Sequence, residues 1–93
     1  MPRVRWTRGA ISEFSAIRRQ HSKQRAKELA ERVFELLVHL EVHPELGRVG
    51  RFAGTRELVV TGTPYIVVYV FDAQKGEVLV AKVVDGRSEW TKD

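Results

Sequence analysis

The chain contains no cysteine, one methionine and three prolines in 93 residues. Without cysteine there is neither a disulfide framework nor thiolate chemistry, which fits a reducing cytosol. No window is long and apolar enough to cross a bilayer. The opening Met1-Pro2-Arg3-Val4-Arg5-Trp6 lacks the apolar core of a secretory signal. A cytoplasmic protein with no membrane partner is therefore expected. Histidine is scarce too: His21, His39 and His43 are the whole set, with no HExxH and no carboxylate at a zinc spacing, so no metal centre is expected. There is no GxSxG elbow. The glycines between residues 47 and 54 lack a P-loop Lys-Ser/Thr and do not lie between a strand and a helix, so no cofactor is expected either.

Acidic residues are sparse in the first third. Residues 1–28 hold eight Lys/Arg against Glu13 and Glu28, a net +6, whereas the remainder is −2. Such a basic segment attracts phosphates or an acidic protein, or else it is a solvated helix surface. At this length one domain spanning 1–93 is expected. It would bury only about 60–65% of its unfolded surface.

The hydropathy pattern reads as α+β. Val4-Arg5-Trp6 is a brief first strand. Thr7 offers an N-cap, and Ala10, Ile11, Phe14 and Ile17 recur at helical spacing, which predicts a helix over roughly 8–20. Ser22 caps a longer helix whose apolar stripe runs Ala26, Leu29, Ala30, Val33, Leu36, Leu37, Leu40. It stops before Pro44. Phe34 and Val38 lie off this stripe and either widen it or meet something else. The two helices form an antiparallel hairpin. Residues 43–55, punctuated by Pro44, Gly47, Gly50 and Gly54, read as a loop. Three strands follow at 57–60, 65–71 and 77–84 as an antiparallel meander, which the first strand can join.

Strict alternation places Tyr65, Val67, Tyr69 and Phe71 on one face and Ile66, Val68 and Val70 on the other. In the last strand it groups Leu79, Ala81 and Val83 against Val78, Val80, Lys82 and Val84. Two helices cover one face. The second is expected to be partly exposed or covered by a partner, unless the 43–55 loop and Trp90 fold over it. The sheet half carries a basic set of Arg48, Arg51, Arg56, Lys82 and Arg87. Lys82, inside an apolar strand, needs solvent or an anion. On a concave sheet, Lys82 and Arg87 could meet a phosphate backbone, with Tyr65, Tyr69 and Trp90 as stacking candidates. Cations can also stabilise charge developing on phosphorus without a metal. The competing reading leaves the aromatics in the core and the arginines in solvent.

The order of elements resembles the RelE/ParE toxin superfamily. Trp6-Thr7-x-x-Ala10 is similar to the family's opening, Pro44-Glu45-Leu46-Gly47-Arg48 to its inter-element loop, and Gly54-Thr55-Arg56-Glu57-Leu58-Val59-Val60 with Tyr65-Ile66-Val67-Val68-Tyr69 to its most recognisable block; Gly86-Arg87-x-x-Trp90 fits the ending. The resemblance implies a toxin of a bacterial type II toxin–antitoxin pair, neutralised by a cognate antitoxin. Which face the antitoxin occupies is left open. Two targets are implied. A RelE-type member cleaves ribosome-bound mRNA, in which case Arg56, Lys82 and Arg87 are the catalytic candidates, and Arg48, Arg51 and Trp90 the RNA-binding ones. A ParE-type member acts on DNA gyrase and needs no nuclease site. Three departures weigh against the nuclease. Thr61 falls in the region where RelE-type members carry an arginine, Asp85 stands where many have histidine, and Trp90, as terminal aromatic, cannot serve as a general acid or base. By elimination the ParE-type reading is favoured. A non-toxic basic interaction module is the remaining alternative.

Overall fold

A computed structural model describes residues 2–90. Strand β1 (Arg3–Trp6) leads into helix α1 (Arg8–Arg19) and then α2 (Lys23–Val42). Strands β2 (Arg48–Val49), β3 (Arg56–Val59), β4 (Tyr65–Asp72) and β5 (Glu77–Asp85) follow. They form one five-stranded sheet in the order β1-β5-β4-β3-β2. β1 runs parallel to β5, and every other pair is antiparallel. The expected strand, helical hairpin and meander are all present, and β1 does join the sheet. The 43–55 stretch is not wholly loop, because its Arg48–Val49 pairs with Glu57 and Arg56. None of the described helices is long and apolar enough to cross a membrane.

Local chemistry sets the helix ends. Thr7 has extended geometry, and its hydroxyl accepts from the Ala10 N–H, as the Ser22 hydroxyl does from the Arg25 N–H. α2 closes at Val42, two residues before Pro44. Its buried side chains Leu29, Val33, Leu37 and Leu40 keep a three-to-four spacing, so one stripe enters the core. There they join Ala10 and Ile17 of α1 and Tyr65, Val67, Tyr69, Val78, Val80 and Val83 of the sheet.

Strict alternation fails in β5. Val68 pairs with Lys82 but Tyr69 pairs with Val80, so Ala81 is the extra residue of a β-bulge. The bulge reverses the parity beyond it. Val78, Val80 and Val83 therefore share the helix-facing core, which corrects the grouping of Val83 with Leu79 and of Val80 with Val84. Thr7 marks the spot: its N–H donates to the Val80 carbonyl and its hydroxyl to that of Ala81.

The second sheet face is covered in part by the loop and Trp90, while Val59 on the same face remains exposed. Ile66, Val68 and Val84 are buried beneath Trp90. Phe52 meets that indole edge-on at 5.9 Å between centroids. Loop and tail thus cover this patch. A run of exposed apolar side chains lies on α2 and the segment after it, where Phe34 is 71% and Val38 57% exposed, with Val42 and Leu46 further along, and Val49 and Val59 of the sheet and Ile11 of α1 are exposed as well.

Candidate functional site

Two members of the basic set, Arg48 and Arg51, meet at one buried acid, Glu57. The β2–β3 register sets Glu57 opposite Arg48. The Glu57 side chain is only 1% exposed. Its Oε1 accepts from Arg48 Nη2 at 3.0 Å and Nε at 3.3 Å, and its Oε2 accepts from the Arg51 backbone N–H at 2.8 Å. The Arg51 guanidinium lies 3.8 Å from Oε1. Burial alone would raise the Glu57 carboxyl. The Arg51 N–H, the Arg48 hydrogen bonds and the two positive charges outweigh it, holding the group below the ordinary carboxylate range. Arg51 also stacks over Trp90, 4.8 Å from the ring centroid. The Trp90 indole N–H is buried and has no hydrogen-bond partner among the described residues.

Arg56 braces the loop before β2. Its Nη1 donates to the Gly47 carbonyl at 2.8 Å and the Glu45 carbonyl at 3.3 Å, and its Nη2 lies 3.7 Å from the Glu45 carboxylate. The same loop is held from beneath by Tyr69, whose hydroxyl accepts from the Gly47 N–H and donates to the Pro44 carbonyl, both at 2.8 Å. There is no room for a side chain at position 47, since a Cβ would sit 2.8 Å from the Tyr69 ring and hydroxyl.

Lys82 finds the anion its position demands. Its Nζ lies 3.1 Å from Oε2 of Glu13 on α1, while Oε1 of the same carboxylate accepts from the Val83 N–H at 3.1 Å. Glu13 thus binds the β5 backbone just beyond the stretch that β1 pairs. Arg87 is paired with Asp85 through Nε at 3.0 Å and Nη2 at 2.8 Å, and the Arg87 N–H adds a third bond at 2.9 Å. Those bonds hold the Asp85 carboxyl at about 2.

Arg48, Arg51 and Trp90 are therefore brought together, around Glu57 and against the second sheet face. Arg56, Lys82 and Arg87 are not: each goes to its own carboxylate, on the pre-β2 loop, on α1 and at the end of β5 respectively. Among the described residues no group of three potential metal ligands occurs. Neither Glu57 nor Glu13 stands out in the sequence as a site residue. A lone signal existed for Glu57, an acid between Arg56 and Leu58 in a strand-forming run, but its partner strand is only two residues long. A hydrogen bond of 2.7 Å between His21 Nε2 and the Tyr65 hydroxyl has no signal in the sequence either.

Comparison with known proteins agrees with this architecture. Residues 4–90 match the family described as ParE toxin of type II toxin-antitoxin system, parDE. The candidate toxin Y4kP of Sinorhizobium fredii is 30% identical over 91 residues, covering 95% of this chain and 92% of its own. Among solved structures, the chromosomal ParDE system from P. aeruginosa superimposes with a TM-score of 0.78 at 19% identity, covering 91% of this chain and 96% of the other. The intact E. coli RelBE toxin–antitoxin complex gives a TM-score of 0.70 at 14% identity, over 95% and 100%. At those identities the structures speak for the shared fold, whereas the family match extends over nearly every described residue. The chain belongs to the ParE toxin family of type II toxin–antitoxin systems, within the RelE/ParE superfamily.

Proposed function

We propose that this toxin stops growth by acting on DNA gyrase, not by cutting mRNA, and that a cognate antitoxin restrains it. The observation that carries the target reading is the internal pairing of its cations. A metal-free site for phosphoryl transfer needs positive groups preorganised around one developing anion. Here Arg56, Lys82 and Arg87 are each drawn to a separate carboxylate. Thr61, in the region where RelE-type relatives carry arginine, offers only its carbonyl, to Arg32. The basic set then serves to fix the loop, the β5 edge and the tail. Brief induction in cells with parallel thymidine and amino-acid pulse labelling tests this. Thymidine incorporation is expected to fall first. If amino-acid incorporation collapses first, and Arg56→Ala, Lys82→Ala or Arg87→Ala abolishes the effect in a folded protein, the mRNA-cleaving reading replaces it. If neither falls, inhibition of either target is excluded.

The antitoxin reading draws on solved relatives that are toxin–antitoxin assemblies, among them an E. coli RelE variant with a peptide of the antitoxin RelBc. On this chain the fitting surface is the α2 stripe of Phe34, Val38 and Val42, continued by Leu46. Those α2 residues are spaced by four and so lie along one side of the helix. An amphipathic antitoxin helix would dock there through its apolar face. Phe34→Asp or Val38→Asp is expected to weaken the complex with the neighbouring gene's antitoxin about tenfold or more by calorimetry. Unchanged affinity in both variants would move the interface off α2.

A further inference from the structure

A second basic site, which takes in Arg87 at its rim, lies in a cleft between α2 and the turn joining β3 to β4. Its volume is about 260 Å³, and its walls include His21, Arg25, Arg32, Tyr65 and Arg87. On the helix side Arg25, Glu28, Leu29 and Arg32 fall at i, i+3, i+4 and i+7, so one stripe faces the turn. The turn is shaped around an arginine. Arg32 Nη1 donates to the Thr61 carbonyl at 2.6 Å. Gly62 has φ +76, and a Cβ there would collide with the same guanidinium. Arg32 is thus held at the cleft wall by a neutral acceptor.

The local charges favour an anion. Among the described residues neither Arg25 nor Arg32 makes an ion pair. The one acid on the wall, Glu28, lies 3.5 Å from the Gln24 amide. Arg87 reaches the cleft already bound to Asp85. The His21 imidazole is oriented by the Tyr65 hydroxyl at 2.7 Å. We infer that this cleft binds a phosphate group, with Arg25 and Arg32 as its main charged contacts and Leu29 and Pro64 as the apolar wall for whatever carries it. Guanidinium groups are suited to phosphate, and Arg25 and Arg32, seven residues apart on α2, would reach one anion from two directions, which suits a tetrahedral group better than a flat carboxylate, which a single arginine fork satisfies. At about 260 Å³ the cleft is just below the usual range for small-molecule sites, enough for a phosphate with one attached ring. The inference is independent of the gyrase reading.

The test uses the full chain and follows the His21 imidazole and Arg25 side-chain resonances by NMR. The probes are inorganic phosphate, a nucleoside 5′-monophosphate, the unphosphorylated nucleoside, acetate, and a short single-stranded oligonucleotide with or without a 5′-phosphate. Saturable shifts are expected with the phosphorylated probes and not with the nucleoside or acetate. Preference for the monophosphate identifies a free nucleotide as the source, and preference for the 5′-phosphorylated strand identifies a nucleic-acid end. Arg25→Gln, at an exposed and unpaired position, is expected to weaken binding about tenfold or more without changing the fold. Arg32→Lys, which keeps the charge but loses the planar fork, should weaken it less. No shift at millimolar phosphate, equal binding of acetate, or unchanged binding by Arg25→Gln would each overturn the site.

Discussion

Glu57→Ala is expected to lower the unfolding free energy by about 2–3 kcal/mol, and the melting temperature by roughly 8–20 °C. For a domain of this length, with about 5–14 kcal/mol in all, that is a large share. The reason is the mismatch in exposure across the pair. The carboxylate is almost wholly buried, whereas the Arg48 and Arg51 side chains are 57% and 47% exposed. Deleting the acid returns two cations to solvent at little cost, so the loss falls short of the full penalty for stranding a buried charge. What disappears is a set of hydrogen bonds to a charged acceptor, one of them from the Arg51 N–H. Because Arg51 stacks on Trp90, the tail should loosen as well. Trp90 fluorescence shifting to the red in the folded variant reports that. Urea unfolding with an unchanged midpoint would remove Glu57 from its structural role.

The same residue sets an acid dependence. The folded-state pKa of Glu57 lies below its ordinary value of 4.5. Its contribution is therefore complete above about pH 4.5 and lost as pH falls through the folded-state value. The stability difference between wild type and Glu57→Ala should be constant near neutrality and shrink in acid. Asp85, held at about 2, works in the same direction, but its pair with the exposed Arg87 is screened by solvent and contributes little.

Much of this fold is legible because its signals are local. Thr7 and Ser22 announce two helices three residues ahead of the N–H groups they cap. The spacing of Leu29, Val33, Leu37 and Leu40 predicts which side of α2 is buried. What stayed hidden depends on contacts between distant residues. The parity of β5 turns on a bulge tied to Thr7, and the environment of Lys82 is set by Glu13, 69 residues away. Glu57 is held by Arg48 of a two-residue strand and by the Arg51 N–H just beyond it, and so short a strand has no periodicity to read. Of the candidate site residues, Arg48, Arg51 and Trp90 could be listed from sequence as basic or aromatic groups, but the acid that gathers the two arginines could not. The cleft at His21 and Arg32 escaped for the same reason, since it joins a helix to a turn some thirty residues later.

Tyr69→Phe is expected to cost about 1.5–3 kcal/mol although the change removes one oxygen atom. Tyr69 is fully buried, and its ring contributes to the main core, which phenylalanine preserves. The hydroxyl alone connects that core to the loop before β2, accepting from the Gly47 N–H and donating to the Pro44 carbonyl. Without it, a buried backbone N–H loses its acceptor, and the penalty is the desolvation of that group. Burial first of all raises the Tyr69 phenol above its ordinary value of 10.0, against the Gly47 hydrogen bond and the Arg56 charge, which lower it. A raised folded-state pKa gives stability that is present below about pH 10 and lost as pH rises through the folded value. Tyr69→Phe should therefore also flatten the alkaline limb of the stability curve. Arg56 holds the carbonyl of the same Gly47, so the two side chains brace a single peptide segment from opposite ends. In a double-mutant cycle Tyr69→Phe and Arg56→Ala should be non-additive, with hydrogen exchange accelerated around Gly47 in each single variant. Additive costs would mean that the loop is held at separate points and that Arg56 is free to serve another purpose.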